Sequence, residues 1–251
     1  MKAMVLAAGL GTRLRPLTNN RPKALVEVAG RTLLEITLLR LRSFDIHDVI
    51  INVHHFADMV VDYLRANKNF GMHIEISRED DALLDTGGGL KRAAWFFLED
   101  TRDSQQPFLL HNVDVISEID LAAMLAFHRQ RMALATLAVQ DRETSRHLLF
   151  DYEMELCGRR TSRGLHGDAT EWARQFDRVH SLAFSGIHII SPRFLSLMTE
   201  EGAFSIISTY LRLAGQGEKI VGYRADDAYW RDLGRQENVL RVAQELKSKS
   251  G

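Results

Sequence analysis

Short apolar runs alternate along the chain with longer segments in which apolar residues recur at helical spacing. Five such runs have the length of single buried strands and lie at residues 3–8, 49–53, 74–77, 108–111 and 134–139. Strands that alternate with helices are typical of a sheet with parallel strands and helices on both faces. The pattern therefore predicts an α/β protein with three layers, α/β/α, around a mixed and mostly parallel sheet.

The rhythm changes after about residue 140, where hairpin-like runs at 147–156 precede a polar stretch at 158–177. We expect this stretch to form a loop or short strands at one edge of the sheet. Further strands are predicted at 183–190 and 219–223, and further helices after Pro192, at 205–214 and from 235 to about 246.

Length and composition indicate one globular domain. The chain has 251 residues, of which 45% are hydrophobic and 26% charged, as is usual for globular proteins. Because no repeat, low-complexity tract or proline-rich linker divides it, we expect a single domain over residues 1–251. The formal net charge of −1 gives no electrostatic reason to expect a nucleic acid or a membrane surface as partner.

The cellular compartment is predicted from the cysteine content and from the pattern of apolar residues. A single cysteine, Cys157, excludes an intramolecular disulfide and a multi-cysteine zinc site. The first eight residues predict a strand rather than a signal peptide, and no apolar stretch approaches the roughly 20 residues needed to span a bilayer. We therefore expect a cytoplasmic protein.

Residues 6–18 combine the end of a buried strand with small and cationic residues. Gly9 and Gly11 allow backbone N–H groups to approach an anion, and Arg13 offers a forked donor to phosphate oxygens. Lys23 adds a second cation nearby. The spacing matches neither G-x-G-x-x-G nor Walker A, so composition alone leaves two alternatives open: a phosphate loop, or a tight turn with surface arginines.

Residues 6–25 resemble the signature of the sugar-phosphate nucleotidyltransferase family. LAAGLGTRLRPLT, followed by PKAL, stands where the family has L-A-A-G-x-G-x-R-L-x-P-L-T and then P-K-x-L. The resemblance implies a Rossmann-like nucleotidyltransferase fold and an enzyme that transfers a nucleotidyl group from a nucleoside triphosphate to a sugar 1-phosphate. It implies catalytic roles for Arg13 and Lys23. The implied nucleotide contacts in this segment are Leu6, Ala7, Ala8, Gly9, Gly11, Thr12, Arg13 and Lys23.

Such a reaction needs a divalent cation, because negative oxygens shield the phosphorus that is attacked. Asp114 follows an apolar run that predicts a central strand, and α/β sheets bind ligands at the carboxyl ends of strands. The segment HNVD resembles the family's N-G-D motif with Val113 in place of glycine, and YWRDLG resembles W-x-D-x-G. The resemblance implies that Asp114, which is also catalytic, and Asp232 bind Mg²⁺. Without it, a turn or helix-cap residue is the simpler interpretation of Asp232.

Three glycines at 87–89 precede a predicted helix at 91–98, where unpaired N–H groups can meet a ligand. A hinge or a helix cap is the alternative. The segment resembles the family's element that lies against the base and ribose, which implies nucleotide contacts from Thr86, Gly87 and Gly88. Residues 79–84 are expected to form the rim of this pocket, with Glu79 as a contact. Uracil is the base we favour.

The binding site of the acceptor, the sugar 1-phosphate, is predicted from FSGI at 184–187. This segment resembles the family's strand-and-glycine element beside the sugar. The sugar contacts that follow are Ser185, Gly186 and Asn112. Many relatives also carry a sugar-phosphate lysine in an E-K-P element, and none occurs between residues 141 and 183. Candidate replacements are Arg159, Arg160, Arg163 and His166, although solvated side chains are the simpler interpretation for loop residues.

The resemblance divides the chain into a nucleotide-binding part, residues 1–140, and a sugar-phosphate-binding part, residues 141–251. A nucleoside triphosphate and a sugar 1-phosphate are the partners that it implies, and the pattern sets no oligomeric state. Three alternatives to uridylyl transfer remain: mannose- or heptose-1-phosphate guanylyl transfer, phosphocholine cytidylyl transfer, and a nucleotide-sugar sensor that has lost catalysis. The presence of both cations and both aspartates argues against the sensor, and the lack of an aromatic cluster argues against choline.

Overall fold

Ten strands form the main sheet in the computed structural model of the protein, which describes residues 1–99, 106–162, 164 and 167–249. The first part of the chain contains β1 (Ala3–Leu6), β2 (Glu27–Val28), β3 (Arg31–Thr32), α1 (Leu33–Ser43), β4 (Asp48–Val53), α2 (Ala57–Ala66), β5 (His73–Arg78), α3 (Asp85–Arg92), α4 (Ala94–Leu98), β6 (Phe108–Asn112) and β7 (Val115–Ser117). The second part contains α5 (Leu121–Arg131), β8 (Ala135–Gln140), β9 (Arg146–Phe150), β10 (Leu156–Ser162), β11 (Asp168–Trp172), β12 (His180–Ile190), α6 (Arg193–Ser196), α7 (Ile206–Gly215), β13 (Ile220–Arg224), β14 (Trp230–Asp232) and α8 (Gln236–Lys249).

Four neighbouring strands of this sheet are parallel. Their order is β6-β1-β4-β5, with Ala3 of β1 opposite both Val49 of β4 and Leu109 of β6. β12 joins β6 in the antiparallel direction, with Ile187 opposite His111, and β9, β10 and β11 continue the order from β12. β8 also pairs with β12 and carries β13 beside it in the parallel direction. The predicted mixed sheet is confirmed, with four parallel strands at one end of the strand order.

Helices cover both faces of the sheet, because alternate residues of a strand point to opposite sides. Val5 and Ile51 lie in one buried cluster with residues of α1, α2, α5 and α8. Their neighbours Met4 and Ile50 lie in a second cluster with residues of α3, α4, α6 and α7. The three-layer arrangement predicted from the hydrophobic pattern is therefore confirmed.

Polar residues fix where several of these helices begin. The Thr32 hydroxyl accepts the N–H of Glu35 at the start of α1, and the Ser205 hydroxyl accepts the N–H of Ile207 at the start of α7. Asp120 accepts two N–H groups, both at 2.9 Å, at the start of α5. Each cap satisfies donors that have no partner within the helix, which stabilises the helix by about 1 kcal/mol.

The edge of the sheet explains why the sequence around residues 158–177 is polar. β10 and β11 end the strand order, and four of the five β11 residues are exposed. An edge strand in water needs no apolar run, so it is recognised poorly from hydrophobicity. Among the described residues, no helix is long and apolar enough to cross a membrane.

Three histidines, His111, His128 and His188, are buried in the interior of the protein. The Ser191 hydroxyl donates to the Ala133 carbonyl, so it accepts the Nε2–H of His128, whose Nδ1 lies 2.9 Å from the Thr136 hydroxyl. Burial lowers the pKa of His128 from 6.5 to about 4, so its imidazole is neutral at pH 7. Burial also lowers the pKa of His111 to about 4 and that of His188 to about 3.

We predict that His128 makes the fold less stable in acid. Between pH 6.5 and about 4 the unfolded chain binds a proton at this residue that the folded protein does not, so the free energy of unfolding falls as the pH falls. One histidine contributes up to about 3 kcal/mol over this range. Urea unfolding at pH 7 and pH 4.5 should show a smaller pH-dependent loss in His128→Gln than in wild type.

The matched control is His47→Gln, because His47 is half exposed and lies beside Asp45 at the surface. We expect this variant to keep the wild-type pH dependence. An equal loss of stability in wild type and His128→Gln would contradict the assignment.

Candidate functional site

A cleft of about 660 Å³ opens where the central strands end. Three carboxylates line it, from Asp85, Asp114 and Asp232, and so do four arginines, Arg142, Arg146, Arg159 and Arg160. Asp114 lies two residues after Asn112, the last residue of β6, so this carboxylate lies just beyond the carboxyl end of a parallel strand. This is the edge where open α/β sheets bind their ligands.

The predicted phosphate loop follows β1 and makes a tight turn, which contacts between Gly11 and Thr18 stabilise. Gly11 has a φ of +64°, and a Cβ atom there would lie 2.9 Å from the Thr18 side chain. The Thr18 hydroxyl donates to the Gly11 carbonyl at 2.8 Å. A Cβ atom on Gly9, in contrast, would meet no atom within 4 Å. The loop is thus closely packed at Gly11 and open at Gly9.

Four predicted site residues meet beside Gly234. The position that a Cβ atom on Gly234 would take lies 2.8 Å from Asp232 Oδ1, 2.9 Å from Arg13 Nη2 and 3.2 Å from Asp114 Oδ2. Lys23 forms an ion pair with Asp114. The fold therefore brings together two cations from the phosphate loop region and the two aspartates, as the sequence analysis expected.

Backbone pairing positions these two aspartates. β14 pairs with β7 in the antiparallel direction, with Asp232 opposite Val115, and the Leu233 N–H donates to the Asp114 carbonyl at 2.8 Å. Asp232 Oδ1 also accepts the Gly234 N–H at 2.6 Å. The Asp232 carboxylate is thus fixed by a bond to neighbouring backbone, and the backbone of Asp114 is fixed by its bond to Leu233. Both bonds reduce the freedom that binding a cation would otherwise remove.

The ion pair between Lys23 and Asp114 is largely buried, since the two side chains are 15% and 12% exposed. Loss of one partner from a buried pair leaves an uncompensated charge, at a cost of about 3–5 kcal/mol.

Val113 occupies the position where the family motif has glycine. It is 1% exposed and packs in the core, and its N–H donates to the Leu6 carbonyl at 3.1 Å. The substitution of the motif glycine therefore leaves the carboxylate at the cleft.

The donor set fits a magnesium ion. Mg²⁺ prefers oxygen ligands and is usually bound by one or two carboxylates together with waters and substrate phosphates. Asp114 and Asp232 supply two carboxylates within reach of one point. Within the described ranges there is no cluster of three or more His, Cys, Asp or Glu residues suited to a metal, so phosphate and water oxygens would complete the coordination.

The glycines expected to precede a helix lie inside one instead, because α3 begins at Asp85. A Cβ atom on Gly87 would overlap the Phe204 ring, and one on Gly88 would overlap the Gly202 carbonyl. The Gly87 N–H donates to the Phe204 carbonyl at 2.8 Å. The prediction that these N–H groups are unpaired is therefore wrong for Gly87, and close packing against residues 202–204 explains the glycines.

Glu79 lies in the interior, not on the expected pocket rim. It is fully buried, and its carboxylate accepts the Asn52 side-chain amide at 2.7 Å and the Leu84 N–H at 2.9 Å. Asn52 in turn accepts the Ala7 N–H at 2.8 Å. Glu79 therefore links residues 79–84, through Asn52, to the start of the predicted phosphate loop.

Thr86 lines the cleft, and its hydroxyl accepts the first N–H of α7 at 3.0 Å.

The predicted sugar contacts separate into two groups. Asn112 and Gly186 line the cleft, and Gly186 has a φ of +75° at an irregularity in β12. A Cβ atom on Gly186 would lie 2.9 Å from Asn112 Nδ2, so the two residues touch. Ser185 is buried, its hydroxyl has no partner among the described residues, and its carbonyl accepts the Trp230 indole N–H at 2.8 Å.

Two of the candidate replacements for the missing lysine lie in the cleft. Arg159 forms an ion pair with Glu171 at 2.7 Å, and Arg160 makes no side-chain hydrogen bond or ion pair with any residue that the structure describes. Arg163 and His166 lie outside the described residues. The sequence analysis did not single out Arg142, which also lines the cleft. Arg142 could have been recognised from its position just after the strand predicted at 134–139, because cleft residues of α/β sheets often follow strands.

Comparison with known proteins is consistent with this geometry. The pattern that defines the family described as Nucleotidyl transferase matches residues 2–148. N-acetylmuramate alpha-1-phosphate uridylyltransferase of Caulobacter vibrioides is 35% identical to this chain over 97% of the chain and 96% of its own length. Mannose-1-phosphate guanyltransferase 2 of Candida glabrata is 28% identical over 96% of this chain and 63% of its own length.

The fold is also found among solved structures. The crystal structure of HddC from Yersinia pseudotuberculosis complexed with GMP-PN has a TM-score of 0.74 at 18% identity. The match covers 98% of this chain and 99% of that one. At this level of identity the likeness concerns the fold alone.

A glycine loop with two nearby cations faces two carboxylates, one of them just beyond the end of a parallel strand, and this arrangement is typical of enzymes that handle phosphate groups. The chain belongs to the nucleotidyl transferase family. The expectation of a sugar-1-phosphate nucleotidyltransferase is thereby confirmed.

Gly9 offers a test of the nucleotide-binding assignment that leaves the fold intact. In Gly9→Ala the methyl group meets no atom of the protein within 4 Å, so we expect unchanged thermal unfolding. A triphosphate lying against the loop would meet this methyl group. The KM for the nucleoside triphosphate should rise about tenfold or more, which corresponds to about 1.4 kcal/mol of lost binding.

The KM for the sugar phosphate, measured on the same variant, serves as the internal control and should stay near the wild-type value. If both KM values match wild type, the triphosphate does not lie against Gly9.

Proposed function

We propose that the protein transfers a uridylyl group from UTP to N-acetylmuramate 1-phosphate and releases pyrophosphate, in the presence of Mg²⁺. The observation that supports this most is the meeting of Arg13, Lys23, Asp114 and Asp232 at one side of one cleft. The choice of UTP and of this acceptor rests on the 35% identity to the Caulobacter vibrioides enzyme, which extends over nearly the full length of both chains.

In the proposed reaction an oxygen of the acceptor phosphate attacks the α-phosphorus of UTP. A new P–O bond forms there while the bond from the α-phosphorus to the pyrophosphate breaks, so the products are a nucleotide-sugar and pyrophosphate. A phosphate monoester has a second pKa of about 6 and is largely dianionic at neutral pH, so no general base is needed. Positioning and charge neutralisation therefore supply most of the rate enhancement.

The charged residues divide these tasks. Arg13 and Lys23 bind the triphosphate. Asp114 and Asp232 would hold Mg²⁺, which would supply positive charge to neutralise phosphate oxygens. Lys23 pairs with Asp114, and the oxygens of a bound triphosphate would give Lys23 a second anionic partner.

The two parts of the chain take different substrates in this proposal. Residues 1–140 bind the nucleotide through the phosphate loop and Thr86, and residues 141–251 supply most of the acceptor side, with Gly186 in the cleft. Asn112 reaches the acceptor from the first part. Glu79 contributes to the nucleotide pocket by holding residues 79–84 from inside. We place the enzyme in the cytoplasm, in the recycling of cell-wall sugars, with its lone cysteine reduced.

Guanylyl transfer to mannose or heptose 1-phosphate is the second candidate, since guanyltransferases match 96% of the chain at lower identity. Phosphocholine as acceptor is less compatible with the cleft. A trimethylammonium group needs free aromatic faces, and the Trp230 ring already carries the Arg142 guanidinium at 3.6 Å.

The experiment that tests the proposal measures pyrophosphate release for pairs of UTP, GTP, CTP or dTTP with N-acetylmuramate 1-phosphate, N-acetylglucosamine 1-phosphate, mannose 1-phosphate or phosphocholine. We expect the highest kcat/KM for UTP with N-acetylmuramate 1-phosphate, and no release after the metal is removed with EDTA. A preference for GTP with mannose 1-phosphate would select the second candidate. Nucleotide binding without release from any pair would favour the sensor.

We predict that Asp232→Asn lowers kcat at least about 100-fold, since metal sites lose this much even from changes to supporting residues. The asparagine carbonyl can still accept the Gly234 N–H, and the Lys23 pair stays intact, so stability should change little. Asp114→Asn should lose as much activity and also unfold at a lower temperature, because it leaves Lys23 without its counter-ion.

The matched control is Asp58→Asn, which removes a surface carboxylate paired with Arg78 at 2.8 Å. Its turnover should equal that of wild type. Wild-type turnover and metal dependence in Asp232→Asn would overturn its assignment as a metal ligand.

A further inference from the structure

Arg142 is held rigidly in the cleft by an aromatic ring and a carbonyl group. Its guanidinium carbon lies 3.6 Å from the centre of the Trp230 ring, and its Nη2 donates to the Phe184 carbonyl at 2.7 Å. Trp230 is fixed in turn, because its indole N–H donates to the Ser185 carbonyl at 2.8 Å. Two consecutive residues of β12 therefore set the place of both members of the stack.

The Arg142 guanidinium lacks a counter-ion. It forms no ion pair with any residue in the described ranges, and its Nε is buried without a hydrogen-bond partner there. Burial lowers the pKa of Arg142, and the charge of Asp232 acts in the opposite direction, but an arginine keeps its proton under such conditions. A partly desolvated cation with unused donors is costly unless an anion from outside the chain completes it.

The other arginines of the cleft differ from Arg142 in this respect. Arg159 already has Glu171 as its partner, and Arg146 and Arg160 lie on strands β9 and β10 near the sheet edge, where Arg146 is exposed. Arg142 instead lines the same cleft as Asp232, Asn112 and Gly186, and the negative charge of Asp232 raises the pKa of Arg142. Its unused donors therefore lie within the electrostatic reach of Asp232, which we assign to the metal.

We propose that Arg142 binds the phosphate group of the acceptor and takes the place of the lysine that this sequence lacks. This rests on the proposed function, because it requires a sugar 1-phosphate in the cleft. A guanidinium offers a planar fork that matches two phosphate oxygens, and the Trp230 ring fixes the plane of that fork. Trp230 is accordingly a positioning residue, and Arg142 a residue that touches the substrate.

The test compares steady-state pyrophosphate release by wild type, Arg142→Met and Arg142→Lys. In Arg142→Met the KM for the acceptor should rise about 10- to 100-fold, as expected for lost hydrogen bonds to a charged group, while the KM for UTP stays within about threefold. Arg142→Lys keeps the charge without the fork, so its acceptor KM should be intermediate. Trp230→Leu should raise the acceptor KM less than Arg142→Met, because it frees the arginine without removing it.

Two acceptors distinguish phosphate from other anionic groups. N-acetylmuramate 1-phosphate carries a carboxylate that N-acetylglucosamine 1-phosphate lacks, while both carry the phosphate. Equal losses with both acceptors support the proposal. A loss confined to the acceptor with the carboxylate would overturn it, as would an acceptor KM that rises in Arg160→Met and not in Arg142→Met. The control Arg193→Met, a surface arginine paired with Glu218, should match wild type.

Calorimetric binding separates this proposal from the proposed function. N-acetylglucosamine 1-phosphate is titrated into wild type and Arg142→Met without any nucleoside triphosphate, and both proteins are first shown to have the same circular dichroism and unfolding temperature. Weaker binding by Arg142→Met supports the proposal even if no pyrophosphate is released from any substrate pair. Equal binding by both proteins, or no binding by wild type, overturns it. If Arg142→Met does not fold, Arg142→Lys and Arg142→Gln are titrated in its place.

Discussion

The antiparallel pairing of β14 with β7 is the constraint on which the cleft depends. It places Asp232 opposite Val115 and joins the Leu233 N–H to the Asp114 carbonyl, so two carboxylates more than a hundred positions apart in the chain face one point. Two like charges brought together repel each other, and the fold places Lys23 and Arg13 beside them to offset this repulsion. Backbone hydrogen bonds thus hold an arrangement of charges that side chains alone would not keep.

The two sides of the cleft are built differently. On the nucleotide side, a chain of buried hydrogen bonds from Ala7 through Asn52 and Glu79 to Leu84 links the phosphate loop to the opposite wall. Such a connected network is rigid because each of its buried groups loses a partner if one member moves. On the acceptor side, arginines on β9, β10 and the end of β8 face the cleft with few partners. A rigid nucleotide side and an incompletely neutralised acceptor side fit an enzyme whose second substrate brings the missing negative charge.

The order of strands and helices was predictable because burial on both faces of a parallel sheet requires long apolar runs, and the alternation with helices is strong. The edge strand β11 gave no such signal, since most of its residues face water. Glycines were harder to interpret, because a glycine at a turn and a glycine in close packing look the same in a sequence. Gly87 and Gly88 are of the second kind, inside α3 and against residues 202–204. Glu79 was expected on the rim of the nucleotide pocket, but it is buried, and two hydrogen-bond donors compensate its burial.

The sequence by itself determined the class of fold, the family motif in the loop after β1 and the identity of the charged residues, because these depend on local periodicity and on a motif of neighbouring positions. Only the tertiary structure decided which of those residues meet. The contact of Asp114 with Lys23, the approach of Asp232 and Arg13 to Gly234, and the stacking of Arg142 on Trp230 join segments far apart in the chain. Strand pairing across the sheet sets these contacts, and no spacing along the chain records it.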